Sequence, residues 1–136
     1  MAGTLKSAIR TMLAGDTTVN TLTGGRISGG GDPERDVPSV TFEIISSDRP
    51  HTHSGPDDLV TPTVRVTSWA RSDLNATTLA NAVRDVLNGF SGTVGGLAIS
   101  YMALVDQSDD DSFRSDDKIL SRHGVRQDYL MTHTEL

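Results

Sequence analysis

Between Pro38 and Ala70 the chain alternates apolar and polar residues twice, and this pattern constrains the fold more than any other feature. Val40, Phe42 and Ile44 fall on one side of an extended segment over 38–46, with Thr41 and Glu43 on the other. Val64 and Val66 repeat the pattern over 59–70, with Arg65 and Thr67 opposite. A period of two buries one face of a strand and leaves the other polar. Two such strands joined by the polar stretch 47–58 predict a hairpin with a long loop. Pro62 has no N–H for a ladder, so the first half of the second strand is expected at an edge or as an irregular arm.

Helical periodicity flanks this hairpin. Leu5, Ile9, Met12 and Leu13 form one face of an opening helix, with Thr4 placed to cap it and Gly15 to end it. The polar, glycine-rich segment 17–31 leaves room for a brief strand at 24–28 only, and Gly29-Gly30-Gly31 is expected to be irregular. Ser72 and Asp73 are placed to cap a main helix over 74–88, whose stripe is Leu79, Val83, Val86, Leu87 and Phe90. At 1.5 Å per residue it spans ~22 Å, and Gly89 is placed to stop it. After a glycine-rich turn over 91–96, Leu97 to Val105 is apolar on both faces, which predicts a strand covered on both sides, either within the fold or by a neighbouring subunit. An acidic loop follows over 106–118, and 119–132 supplies a last strand containing Val125, Tyr129, Leu130 and Met131. The order α-β-β-α-β-β predicts a single α+β domain over 1–136, an antiparallel sheet with helices packed on one face.

Composition bounds what such a domain can do. No cysteine is present, which excludes a disulfide scaffold, a thiolate metal site and a cysteine nucleophile. The net charge of −6 argues against a sequence-independent nucleic-acid binder, which needs a positive footprint. Hydrophobic residues make up 35% of the chain and aromatics 4%. So small an apolar content points to burial completed by subunit contacts. No segment has the ~18 apolar residues of a membrane span, and the N-terminus has no signal-peptide pattern, so synthesis in a cytoplasm is expected.

The candidate chemistry is sparse. His51 and His53 stand at i, i+2 and could share one face of a strand, but a metal needs two further ligands and none converges in the sequence. They read as loop histidines beside Asp48 and Arg49. The run from Asp106 through Asp109, Asp110 and Asp111 has alternating oxygen ligands. It carries Asp111 where a calcium loop needs Gly and Asp117 where it needs a bidentate Glu. With Arg114 and Asp116 it reads as an exposed loop. No nucleophile elbow, Walker sequence or dinucleotide fingerprint occurs. Acid pairs such as Asp57-Asp58 sit in polar stretches that keep them ionised, which makes poor general acids. Trp69 is expected in the core, with an interface anchor as the second reading.

Several stretches taken in order resemble the tail completion proteins of long-tailed bacteriophages, also called tail terminator or tail-to-head joining proteins. They are the opening helix, Gly24-Gly25-Arg26-Ile27, Pro38-Ser39-Val40-Thr41-Phe42 and the turn His51-Thr52-His53-Ser54-Gly55. Val64-Arg65-Val66-Thr67-Ser68-Trp69-Ala70, the helix from Leu79 to Gly92 and Arg126-Gln127-Asp128-Tyr129 complete the series. The resemblance implies a structural virion protein without catalytic residues or cofactors. It implies a homo-oligomeric ring, a hexamer, at the head-proximal end of the tail tube. That ring would end tube polymerisation, contact the tube protein and the head connector, and let DNA pass without sequence-specific binding. Asp48, Arg49, His51, His53, Asp109, Asp110, Asp111, Arg114, Asp116 and Asp117 are the expected partner or lumen contacts. The alternatives are a head-completion or stopper protein of the neck, and a small cytoplasmic ligand-binding domain or enzyme.

Overall fold

A computed structural model describes residues 2–29, 38–48, 59–94, 97–110 and 123–134. The elements in order are α1 (Ala2–Gly15), α2 (Thr17–Thr23), β1 (Ile27–Gly29), β2 (Ser39–Asp48), β3 (Leu59–Ala70), α3 (Asp73–Leu87), β4 (Gly92–Val94), β5 (Leu97–Asp110) and β6 (His123–Thr134). The strands form one sheet in the order β1-β2-β3-β6-β5-β4. Every pairing is antiparallel except β1 with β2, which is parallel, so the sheet is mixed rather than wholly antiparallel. The expected α+β class with helices on one face holds. Helix α1 touches β1 at one edge of the sheet and β4 and β5 at the other. A single helix reaches both edges only if the sheet curls around it, and the result is a half-barrel with the helices on its concave side.

The core fills that concavity. Ile9, Met12 and Leu13 of α1, Val19 of α2 and Leu79, Val83 and Leu87 of α3 meet Val40, Phe42, Val64, Val66, Ile99, Met102, Tyr129 and Met131 of the sheet. Ala76 and Ala80 of α3 pack on Ala70 and Val125, where small side chains let the helix lie close to β3 and β6. Ser72 caps α3 by accepting the Asn75 N–H at 3.2 Å. Gly89, at φ 81°, follows the last turn and donates its N–H to the Met102 carbonyl, so the helix stop is also a tie to β5.

Several expectations fail for identifiable reasons. Helix α1 begins at Ala2, so Thr4 lies inside it and is not its cap. The segment expected to be irregular holds α2, whose Asp16 accepts the Val19 N–H at 3.0 Å and whose Gly24 closes it in the left-handed region. Seven residues are too few to show a period, and the caps carry the signal instead. Gly29 belongs to β1, and 92–94 of the expected turn form β4. Pro62 lies in a central strand, between β2 and β6. The β3–β6 ladder keeps its register there but has no bridges at Thr61 and Pro62, which is how a central strand tolerates a missing N–H. Thr41 and Thr67, expected on an open face, are buried, as is Trp69 beside them. The indole of Trp69 donates to Thr41 Oγ1 at 2.9 Å; the ring is buried, but on the sheet face opposite Val64 and Val66 and outside the apolar clusters that the helices cover.

The largest departure is β5. Among the described residues of one chain it is covered on one side only, with Tyr101 54% and Val105 53% exposed, so cover within the fold does not account for its second apolar face. The ladder with β6 shifts by one residue after Ile99 and again after Leu104. The first bulge inverts the alternation, so Ile99, Met102 and Leu104 share the helix side although their spacing does not predict it, and the second inverts it again past Leu104. The strand also runs to Asp110, so the acidic segment 106–110 is paired backbone rather than loop.

Candidate functional site

The convex face of the sheet is the surface that the helices leave open. Across it runs a row of charged side chains in register: Glu43 on β2, Arg65 on β3, Asp128 on β6 and Asp106 on β5. Arg65 grips Asp128 with two bonds, Nε to Oδ1 at 3.0 Å and Nη2 to Oδ2 at 3.3 Å. That hydrogen-bonded contact holds the Arg65 guanidinium above its ordinary pKa, and Glu43 and Asp106 add to the effect from either side. The next row toward Tyr101 places Leu130 beside Ala103, and Leu130 is 37% exposed. The face therefore combines a tethered charge row with exposed apolar contacts, which is the make-up of a protein-contact surface rather than of a catalytic cleft. From the sequence, Glu43 and Arg65 read as polar strand-face residues, Asp128 only as part of the last strand and Asp106 as the start of a loop, so the four do not align. Their alignment follows from strand order, which the sequence leaves open.

The sites expected from the sequence fall at two places. Asp48 ends β2 opposite Thr61, whereas Asp109 and Asp110 lie in β5 opposite Val125 and Gly124. The row of Asp110 passes through Gly124 and Trp69 to Ser39, at the other end of β2 from Asp48. At about 3.3 Å per residue along β2 the two ends are roughly 30 Å apart. Asp109 is exposed. Arg49, His51, His53, Asp111, Arg114, Asp116 and Asp117 lie outside the described residues.

Little in the described structure supports bond-making chemistry. A groove of about 300 Å³ runs between α2 and α3, lined by Asp16, Thr18, Leu22, Thr78, Asn81 and Asp85. Its Asp16 carboxylate is committed to capping α2, and no nucleophile stands against a base in the lining. Tyr129 is buried, and burial pushes its phenol well above the ordinary range. Its hydroxyl donates to Gln127 Oε1 at 3.0 Å, while Gln127 Nε2 donates to the Ala80 carbonyl and to Gln107 Oε1. This network ties α3 to β6 and β5. Among the described residues no cluster of His, Asp and Glu could hold a metal ion, and no helix is long and apolar enough to cross a membrane.

Comparison with known proteins gives the same picture. No curated protein sequence matches the chain. Among solved structures, a chain from the virion of a native gene transfer agent particle superimposes with a TM-score of 0.63 at 17% identity. The match covers 97% of this chain and 96% of that one, so the whole fold is shared. The family model described as tail completion protein gp17 matches residues 7–130. That family comprises structural proteins of phage tails and is not an enzyme family. The protein therefore belongs to the gp17 family of bacteriophage tail completion proteins.

Proposed function

We propose that this chain forms a ring at the head-proximal end of a tail tube, where it ends tube polymerisation, joins the tail to the head connector and lets DNA pass. The family match over residues 7–130 carries this reading. The geometry supports it in one further respect. A joining protein must meet one partner above and another below. The two polar segments, 47–58 and the stretch that follows β5, leave the sheet at opposite ends, roughly 30 Å apart by strand rise. Asp48, Arg49, His51 and His53 would serve one partner. Asp109, Asp110, Asp111, Arg114, Asp116 and Asp117 would serve the other or face the lumen. A net charge of −6 suits a channel that must release DNA, because like charge disfavours binding. The tube protein, the connector and assembly in a host cytoplasm complete the reading.

Gold labelling of the chain in finished particles tests the position. Label confined to the head–tail junction is expected. Label along the tube or at the distal tip would exclude a neck role. A stopper protein below the portal would carry the same label, and tail length separates the two.

A further inference from the structure

We infer that copies of this chain join edge to edge, β1 of one copy adding to the outer edge of β5 in the next, so that the sheet continues around the ring. This rests on the ring reading above and names the contact that builds it.

The argument starts from the two edges. Among the described residues, β1 ends the sheet on one side. On the other side β4 covers β5 only at Leu97 to Ile99. Beyond it the outer edge of β5 is served by Gly89 and Phe90, which bond the Met102 backbone at 2.7 and 3.0 Å, and by Asn88 Oδ1, which accepts the Leu104 N–H. From Val105 onward no described residue bonds that edge, and Val105 to Asp109 are exposed. A strand open on its outer edge is a template for another strand.

The two edges stand level. The ladders run Ile27–Val40–Ser68–Val125–Asp109, Ser28–Thr41–Thr67–Arg126–Ser108 and Gly29–Phe42–Val66–Gln127–Gln107. All three residues of β1 thus lie in the same rows as the open part of β5. Their directions also agree. Because β1 is parallel to β2 and every later pairing is antiparallel, β1 runs opposite to β5.

The hydrogen-bonding phase matches as well. The Val40 N–H bonds the Arg26 carbonyl, which turns Arg26 and Ser28 toward β2 and leaves Ile27 and Gly29 facing outward. Met102 faces outward on β5, and carrying the alternation past the bulge at Val105 turns Gln107 and Asp109 outward. The Ile27 N–H is already held by the Gly25 carbonyl, so Ile27 offers its carbonyl alone. The ladder would then run from Asp109 N–H to the Ile27 carbonyl and through both backbone groups of Gly29 to Gln107. One position further, Arg26 comes level with Asp110. A contact repeated with no shift along the strands turns without climbing, and such a head-to-tail contact closes into a ring instead of a filament.

Ser28 and Ser108 become direct neighbours in a non-hydrogen-bonded pair, with Cα atoms about 4.5 Å apart, within reach of a disulfide. The chain has no native cysteine. Particles carrying S28C/S108C, oxidised and run without reductant, should show a ladder of cross-linked copies, while S28C and S108C alone should run as monomer. In unaltered particles the amides of 105–110 should exchange at least about tenfold more slowly than in the isolated chain. Particles that contain several copies of the chain but show neither the ladder nor the slowed exchange would overturn the edge contact and leave the ring standing. Unaltered particles that contain no copies, or only one, would overturn the ring itself.

Discussion

At the scale of single residues, the fold depends on a few buried polar atoms with specific partners. Trp69 and Thr41 are both buried and bond across β3 and β2. Replacing Thr41 by Val keeps the shape and removes the acceptor. The indole N–H loses that bond inside the protein, and T41V should cost about 1–2 kcal/mol in urea unfolding. Tyr129 makes a second, pH-dependent test. Burial raises its phenol pKa, with Asp85 adding to the shift and Arg84 opposing it. Below pH ~10 both the folded and the unfolded chain hold that proton, so the group makes no difference to stability. Above pH ~10 the unfolded chain gives it up while the folded chain keeps it, and stability falls as pH rises. Tyr129→Phe should be less stable near neutral pH, because Gln127 loses a donor, and should lose less between pH 10 and 11. Equal alkaline slopes for the two proteins in denaturant titrations would contradict this assignment.

At the scale of elements, α3 shows how much the sequence revealed. Its stripe, its Ser72 cap and its Gly89 stop are all readable because fifteen residues give several turns of period and both ends carry their signals. Strands β2 and β3 were readable for a similar reason: ten and twelve residues allow alternation to show. Short elements were less so. The brief strand expected at 24–28 is found as β1, but helix α2 and strand β4 owe their existence to tertiary contacts and caps, which leave little pattern. The bulges in β5 misled the reading more actively, since a one-residue insertion reverses which face each later side chain takes. For the site, the sequence supplied the polar segments but not their separation to opposite ends of the sheet, nor the alignment of Glu43, Arg65, Asp128 and Asp106. Both depend on the insertion of β6 between β3 and β5. The account predicts a graded response in α3. Ser72→Ala, which removes an exposed cap, should cost about 1 kcal/mol. Leu79→Ala, in the core, should cost about 2–5 kcal/mol. Leu74, 76% exposed, should tolerate Ser within about 0.5 kcal/mol, as read by thermal unfolding.

At the scale of the whole molecule, the curled sheet gives one domain three kinds of surface. The concave side is filled by helices, and the convex side carries the charge row with Tyr101 and Leu130. The two ends of the strands carry the polar segments. On the proposed reading, the sheet edges would meet neighbouring copies and the strand ends would meet a partner on either side. The central claim is that the chain stops the growth of the tube. It is tested most directly by the length distribution of tails in a lysate whose producing cells lack this reading frame. The account predicts free heads beside tails longer than those of finished particles. Tails of normal length beside unjoined heads would place the chain below the portal as a stopper, and intact particles of normal length would contradict a role in the neck.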